Sequence, residues 1–386
     1  MQIDDDQGGR LFNSRVNQAV QLPVKLDVHA KRLRRRANFC RKEHVVNGCE
    51  NVSGHIDRAT APLSTRHTTT KLATLCAMAT AIPALKDSEK IEFGYAHADG
   101  EVTNNAASII VASYNIRYAV GSYLISGGLL RKSGLNGHRK RAIQVGSNIQ
   151  TAARAFTAGQ LLPRVDVLAL QEADKGTTRT GKHHVARELA EELKLDWIHV
   201  PAGLPRGVKP KTRQWWLDFE EPIDLHDPGD TGIGLLSCLP LSNVTRIDLP
   251  WHECPWRPRL AMGATVAIGP RSLRIINSHV DPHAAVGGQL EQLEALVQEA
   301  NKNSGPTLIL GDFNTLSKTK VIETRNFFEK HGYSTPFPSG TATWRGMGIR
   351  LHADWIFYRD LKISRWGVAR PLSVSDHWPI WAEVEL

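Results

Sequence analysis

The chain has 386 residues, a hydrophobic fraction of 41%, a charged fraction of 23% and a formal charge of +9. This composition supplies a full globular core and excludes low-complexity or collagen-like chains. No run of 18 apolar residues offers a spanning helix, and five scattered cysteines without a C-x-x-C pair give neither a zinc ribbon nor a disulfide framework.

The positive charge favours an anionic partner, although charge governs encounter and does not name the chemistry. All ten tryptophans lie at or after Trp197, and the first hundred residues are weakly patterned. They hold KLDVHAKRLRRRANFCRK (25–42) and STRHTTTK (64–71), so residues 1–104 are expected to form a basic, poorly ordered extension. The cluster Lys31, Arg32, Arg34, Arg35 and Arg36 reads as a solvated tail, or as a nucleic-acid or transport signal. Cys40 and Cys49, near His44 and His55, match no compact metal spacing. The acidic start MQIDDDQ is unlike a signal peptide, which favours a cytoplasmic location. LATLCAMATAIPAL (72–85) resembles a signal core and would imply secretion only if translation began after Met1.

From residue 105 the texture changes. ASIIVASYNIRYAV (107–120) and VDVLALQEAD (165–174) are apolar runs suited to buried strands, ending on Asn115 and on Gln171, Glu172 and Asp174. GGLLRKSGLNG (127–137), between them, fits no phosphate-binding fingerprint and is expected to be a surface loop. HHVARELAEELKL (183–195) has Val185, Leu189 and Leu193 on one helical side, with His183 and His184 at its start. RGVKPKTRQWW (206–216) interleaves basic and aromatic residues. There Arg213, Trp215 and Trp216 can follow a nucleic-acid backbone and stack on it, or pack as a loop against their own domain.

Strands follow in TGIGLLSCLPLSN (231–243), AMGATVAIG (261–269) and SLRIINSHVD (272–281), then a helix in GGQLEQLEALVQEANK (287–302). PTLILGDFN (306–314), LHADWIFYR (351–359) and SVSDHWPIWAEVEL (373–386) complete the series. Many strands with few helices predict two packed sheets flanked by helices.

Six of these runs end on polar residues: Asn115, Glu172, His279 with Asp281, Asp312 with Asn314, Asp354, and Asp376 with His377. A single such residue is ordinarily a cap or turn former. Six together, rich in carboxylate, amide and imidazole, suit water attack on a phosphate ester. Oxygen donors hold a hard cation such as Mg²⁺, an imidazole handles protons, and amide or imidazole donors grip phosphoryl oxygens. Neither a G-x-x-x-x-G-K-S/T loop nor a G-x-S-x-G elbow is present, which removes P-loop and serine-hydrolase chemistry.

In order along residues 108–386, ASYNIR, LALQEAD, GIGLLSCLPLSN, NSHVD, GDFNT, HADWIF and SDHWP resemble the endonuclease/exonuclease/phosphatase superfamily. The resemblance implies an α+β four-layer sandwich, DNase-like, in which two mixed β-sheets lie face to face with helices on the outside. It implies an Mg²⁺-dependent phosphoesterase, with Mn²⁺ as a substitute, in a catalytic domain over 105–386. By the resemblance, Asn115, Glu172 and Asp376 form the metal end, and Asp354 orients His377 toward the attacking water. Asp312 and Asn314 lie beside the scissile phosphate, His279 binds it, and the base is either Asp312 or His377. Cys238 stands where many members have Arg, and His352-Ala353 where Arg-Ile often precedes the Asp. The acidic partner of the His279-like residue has only Asp218 and Glu220 as candidates.

A nuclease acting as a monomer on DNA or RNA is the favoured reading. A phospholipid (sphingomyelinase-like) or inositol-phosphate phosphoesterase is the alternative, with WHECPWRPR (251–259) leaning on a membrane or lining a headgroup pocket. A catalytically silent binding protein is the least favoured. Residues 101–386 hold 33 Lys/Arg against 28 Asp/Glu, only about +5, so charge alone does not decide between these substrates.

Overall fold

The computed structural model describes residues 90–95, 107–121, 138–206, 223, 225–250, 259–346 and 348–386. The basic cluster 31–36, Cys40, Cys49, the apolar stretch 72–85, the loop 127–137 and residues 251–258 lie outside them. So do Asp218, Glu220, Arg213, Trp215 and Trp216.

Seven strands build one sheet. In spatial order they are β1 (Glu92–Gly94), β4 (Asp196–Pro201), β5 (Gly232–Ser237), β3 (Val167–Gln171), β2 (Ser108–Asn115), β14 (Ile380–Glu385) and β13 (Lys362–Val368). The other sheet has five: β12 (Asp354–Arg359), β9 (Thr307–Asp312), β8 (Arg271–His279), β7 (Leu260–Ile268) and β6 (Leu241–Asp248). Each is mixed, because β2 runs parallel to β3 and β8 parallel to β9 while the remaining pairs are antiparallel. A small hairpin pairs β10 (Trp344–Gly346) with β11 (Ile349–Leu351).

Period-two alternation explains why the central strands read as unbroken apolar runs. Ile109 and Val111 of β2 join Leu308 and Leu310 of β9, Met262 and Ile275 in the core between the sheets. Ile110, Ala112 and Tyr114 of β2 point the other way, onto α1 (His138–Thr157) and α2 (Val185–Leu193). Across the molecule Ile309, Phe313, Trp355 and Phe357 pack with Leu293, Leu296 and Val297 of α3 (Val286–Ala300) and Val321 and Phe328 of α4 (Lys318–Lys330). The layers are therefore helix, sheet, sheet, helix, the expected DNase-like α+β sandwich.

α2 starts on His184, whose ring accepts the Arg187 N–H while Glu188 accepts the His184 N–H, a reciprocal cap. Two helices carry too thin an apolar stripe to be read in advance. α1 buries Val145, Ile149, Ala152 and Phe156 among polar neighbours, and α4 has Val321, Thr324 and Phe328. β1 falls inside the stretch assigned to the extension. It pairs antiparallel with β4, and its Glu92 carboxylate reaches Lys175 Nζ and His184 Nε2, each at 2.8 Å. Among the described residues no helix is long and apolar enough to cross a membrane.

A polar stitch joins the sheets at Asn277. Asn277 of β8, fully buried, donates through Nδ2 to the Leu170 and Gly234 carbonyls, both at 2.9 Å, and its Oδ1 accepts Gln171 Nε2 at 2.7 Å. Gln171 also donates to Ser113 Oγ at 3.1 Å. The residue before Glu172 is thereby fixed relative to the opposite sheet.

Candidate active site

Parallel pairing and antiparallel starts bring the polar strand ends to one edge. β2 and β3 finish side by side at Asn115 and Gln171, and β8 and β9 finish side by side at His279 and Asp312. β12 begins there, with Asp354 opposite Asp312, and residues 376–377 lie two residues before β14, whose Ile380 pairs with Ser113.

The centre is Asp312. Its Oδ2 accepts Asn115 Nδ2 at 2.9 Å, which ties one sheet to the other, and its Oδ1 accepts the Asn314 N–H at 2.9 Å. His377 Nε2 lies 3.8 Å from Asp312 Oδ2, and His279 Nε2 lies 3.6 Å from the same oxygen. Behind His377, Nδ1 is 2.9 Å and 3.1 Å from the two oxygens of Asp354. The Asp354 N–H is anchored on Thr343 Oγ1 at 2.9 Å.

Burial pushes the Asp312 carboxyl up, Asp354 adds to that, and His377 and Asn115 oppose it, leaving it at about 7. For His377 burial works against the charge, but Asp354 and Asp312 outweigh it and raise the imidazole to about 10. The pair thus retains a proton on His377 while holding Asp312 near neutrality.

Backbone geometry aims the neighbours. Glu172 and Asn314 leave their strands through left-handed conformations, φ 53° and 49°. That conformation costs a non-glycine residue roughly 1 kcal/mol and turns the chain sharply at the site. Asn314 Nδ2 is spent on the Val280 carbonyl at 2.8 Å, which fixes the loop. Gly311, φ 139°, is required by packing: a Cβ there would stand 2.0 Å from the Ser278 carbonyl oxygen of β8. Its smallness serves the approach of two parallel strands more directly than it serves the exit into the site. Phe313, between the two polar residues, faces the core as the alternation demands, edge-on to Phe328 at 5.7 Å and Phe357 at 5.8 Å.

Asp376 is held by three donors: Arg117 Nη1 and Trp344 Nε1 on Oδ2, both at 3.1 Å, and Ser375 Oγ on Oδ1 at 3.3 Å. Arg117 begins a left-handed turn, Arg117–Ala119. Arg179 braces that turn, its guanidinium 3.5 Å from the Tyr118 ring centroid and paired with Asp174 at 2.6 Å.

Sequence reasoning missed Arg259. The last residue of WHECPWRPR, a stretch expected to lean on a membrane or line a headgroup pocket, it is buried and its Nη1 lies 2.9 Å and 3.1 Å from the ring nitrogens of His279. His279 Nε2 is also 3.7 Å from Glu172 Oε1. Register could have revealed the arginine, since Leu260 pairs with His279 across β7 and β8 and places residue 259 at the strand-end edge. Arg117 closes the ASYNIR motif and Trp344 lies in no motif, and only the fold turns each side chain onto Asp376.

Among the described residues two groups have metal-ligating spacing, with donor atoms all within 4.8 Å of one another: Asp312, Asp354 and His377, and, apart from them, Glu92, His184 and His199. His184, expected at the start of the helix, caps α2 and contacts Glu92.

A model of the endonuclease/exonuclease/phosphatase family matches residues 112–377, more than half of the chain. The chain belongs to the endonuclease/exonuclease/phosphatase family. It is 25% identical over 207 residues to the UPF0294 protein plu0699 of Photorhabdus laumondii, covering 51% of this chain and 75% of that one. A UPF0294 protein of Yersinia pseudotuberculosis, YpsIP31758_1050, is 23% identical over 268 residues, 61% of this chain and 98% of its own. The crystal structure of an endonuclease/exonuclease/phosphatase from Beutenbergia cavernae shares the fold at a TM-score of 0.50 and 16% identity, covering 72% of each chain. Family membership, the sandwich and the metal-ligating clusters together fit a metal-dependent phosphoesterase.

Proposed function

We propose that the protein hydrolyses phosphodiester bonds of DNA or RNA with the help of a divalent cation. The observation that carries this reading is the hydrogen-bonded line Asn115–Asp312···His377–Asp354, faced by His279 and the buried Arg259. On this reading the line and its neighbours supply a base, a charged donor and a buried guanidinium, a set that suits in-line displacement at phosphorus.

The donor chemistry fits a hard cation. Asn115 commits Nδ2 to Asp312, so Oδ1 is its oxygen donor; that atom accepts the Arg117 N–H at 3.0 Å and retains a second lone pair. Glu172 and Asp376 add carboxylates, giving an all-oxygen set suited to Mg²⁺ or Mn²⁺. When bound there, the cation offsets charge developing on the phosphoryl oxygens.

The chain's own groups supply the rest. Asp312, raised toward neutrality, is the base that takes the proton of the attacking water, and Asn115 and Asn314 hold its carboxylate in place. His377, charged and backed by Asp354, donates from Nε2 to a phosphoryl oxygen. Arg259 and His279 bind a second non-bridging oxygen, in keeping with the expected role of His279. Asn314 acts through Asp312, since its amide nitrogen is engaged by the Val280 carbonyl. Arg213, Trp215 and Trp216 remain the proposed strand-contacting residues.

The test is a turnover screen with Mg²⁺ and Mn²⁺ against bis-p-nitrophenyl phosphate, DNA, RNA, sphingomyelin and phosphoinositides. The reading expects cleavage of the synthetic diester and of a nucleic acid, and a loss of about 10²–10⁴ in turnover for folded Asp312→Asn. Cleavage of the lipids alone would replace nucleic acid as substrate. Near-normal activity of Asp312→Asn would remove the base assignment.

A further inference from the structure

Three arginines gather around one indole at the rim of the site. The guanidinium carbon of Arg370 lies 4.7 Å from the Trp378 ring centroid, that of Arg345 5.2 Å and that of Arg350 6.0 Å. Trp378 is itself buried, so its ring carries the guanidiniums and is closed to a stacking base. Among the described residues none of the three forms an ion pair with a carboxylate. Burial, and then the neighbouring Arg350 charge, push the Arg370 pKa downward.

The cluster sits beside the reacting groups. Trp378 directly follows His377, and its backbone N–H donates to the Thr343 carbonyl at 2.7 Å. The Arg345 N–H donates to the Asp376 carbonyl at 2.9 Å, and the bridge Trp344↔His377 lays the β10–β11 hairpin against the site. The buried Tyr114 hydroxyl feels Asp376, Arg345 and Asp354 together, so Arg345 shares the electrostatic surroundings of the site carboxylates.

Three guanidiniums gathered on one ring, none of them ion-paired among the described residues, repel one another, and an anion seated among them relieves that repulsion. Their planar forks match phosphate oxygens, and the indole beneath limits the freedom they lose on binding. We propose that Arg345, Arg350 and Arg370, arranged on Trp378, bind a second phosphate of the substrate strand, the neighbour of the one that is cleaved. The inference rests on the phosphodiesterase reading above and narrows it: the preferred substrate is a chain of phosphates, and a lone diester is a poor one.

The experiment uses the full chain with Mg²⁺ and three trinucleotides. One has two ordinary phosphodiester linkages, and the others carry a neutral methylphosphonate at the 5′ or the 3′ linkage. The readout is the ratio of kcat/KM for a linkage with a charged neighbour to that for the same linkage with a neutral one. For the native protein the ratio should be about tenfold or more on one side of the scissile linkage. Arg345→Gln/Arg350→Gln should bring it close to one and lower the salt slope of oligonucleotide binding by about one to two. Arg350→Gln alone, on an exposed strand, provides the same test if the double variant misfolds. A native ratio near one, or a ratio unchanged in the folded variants, overturns the inference. Cleavage of bis-p-nitrophenyl phosphate but of no trinucleotide also overturns it. Failure to cleave any of these diesters removes the phosphodiesterase reading itself.

Discussion

Asp354→Asn tests the electrostatic core of the site with almost no change in shape. The asparagine keeps the backbone donor to Thr343 Oγ1 but loses the negative charge 2.9 Å from His377 Nδ1. In the native protein the His377 pKa rises from 6.5 to about 10, against burial and through Asp354 and Asp312. That shift corresponds to about 5 kcal/mol in favour of the imidazolium. Asp354 is the nearer carboxylate, so roughly 2–3 kcal/mol of it should vanish in the variant. The sign follows from linkage: a raised imidazole pKa stabilises the fold fully below 6.5, and that stability is lost as pH rises toward 10. Urea unfolding at pH 6 should therefore show the variant less stable by about 2–3 kcal/mol, with the gap narrowing near pH 10. The ¹³Cε1 resonance of His377 should titrate at least one unit lower, and turnover should fall about 10²–10⁴-fold. Equal unfolding free energies at pH 6 together with an unmoved His377 titration would refute the reasoning.

Gly311→Ala should lower stability by about 2–5 kcal/mol, from a left-handed φ and a Cβ driven into the Ser278 carbonyl; chemical denaturation measures it, and a loss under 1 kcal/mol would mean that β8 and β9 yield easily. Asn277→Leu leaves the Leu170 and Gly234 carbonyls without their buried donor and should cost about 3 kcal/mol. It should also lower kcat by loosening Gln171 and hence Glu172, and a stability loss with kcat unchanged would separate the stitch from the site. Burial pushes His352 and His199 down to about 3. Between pH 6.5 and 3 the unfolded chain therefore binds more protons than the fold, and each histidine removes about 2 kcal/mol of stability at pH 5. His352→Phe, which retains the stack on Trp355 at 3.7 Å, should flatten the acid side of the melting-temperature profile; an unchanged profile would contradict the neutral assignment.

How far the site was legible depends on which property is local. Asn115, Glu172, His279, Asp312 and Asn314 follow from apolar runs that stop abruptly on polar residues, whereas Asp354, Asp376 and His377, expected at strand ends, stand at or just before the starts of β12 and β14. The placement of Phe313 in the core follows from a period of two. Those features reside in a few consecutive residues, and so did the expectation of two sheets flanked by helices. The thin stripes of α1 and α4 were too weak locally, and they became helices because each sheet had an outer face to cover.

Partnership was decided by the tertiary structure alone. That His279 stands against Arg259, that Asp376 collects Arg117 and Trp344, and that Asn277 joins the sheets all depend on register between strands far apart in sequence. The pKa values of Asp312 and His377 belong to this second class, because desolvation and a charge a few ångströms away exist only once both sheets have closed. The sequence by itself determined the carboxylate, amide and imidazole groups of this edge and the order in which they come along the chain. Folding determined which of them share a proton, which is the step that turns a list of donors into a site able to act on a phosphate.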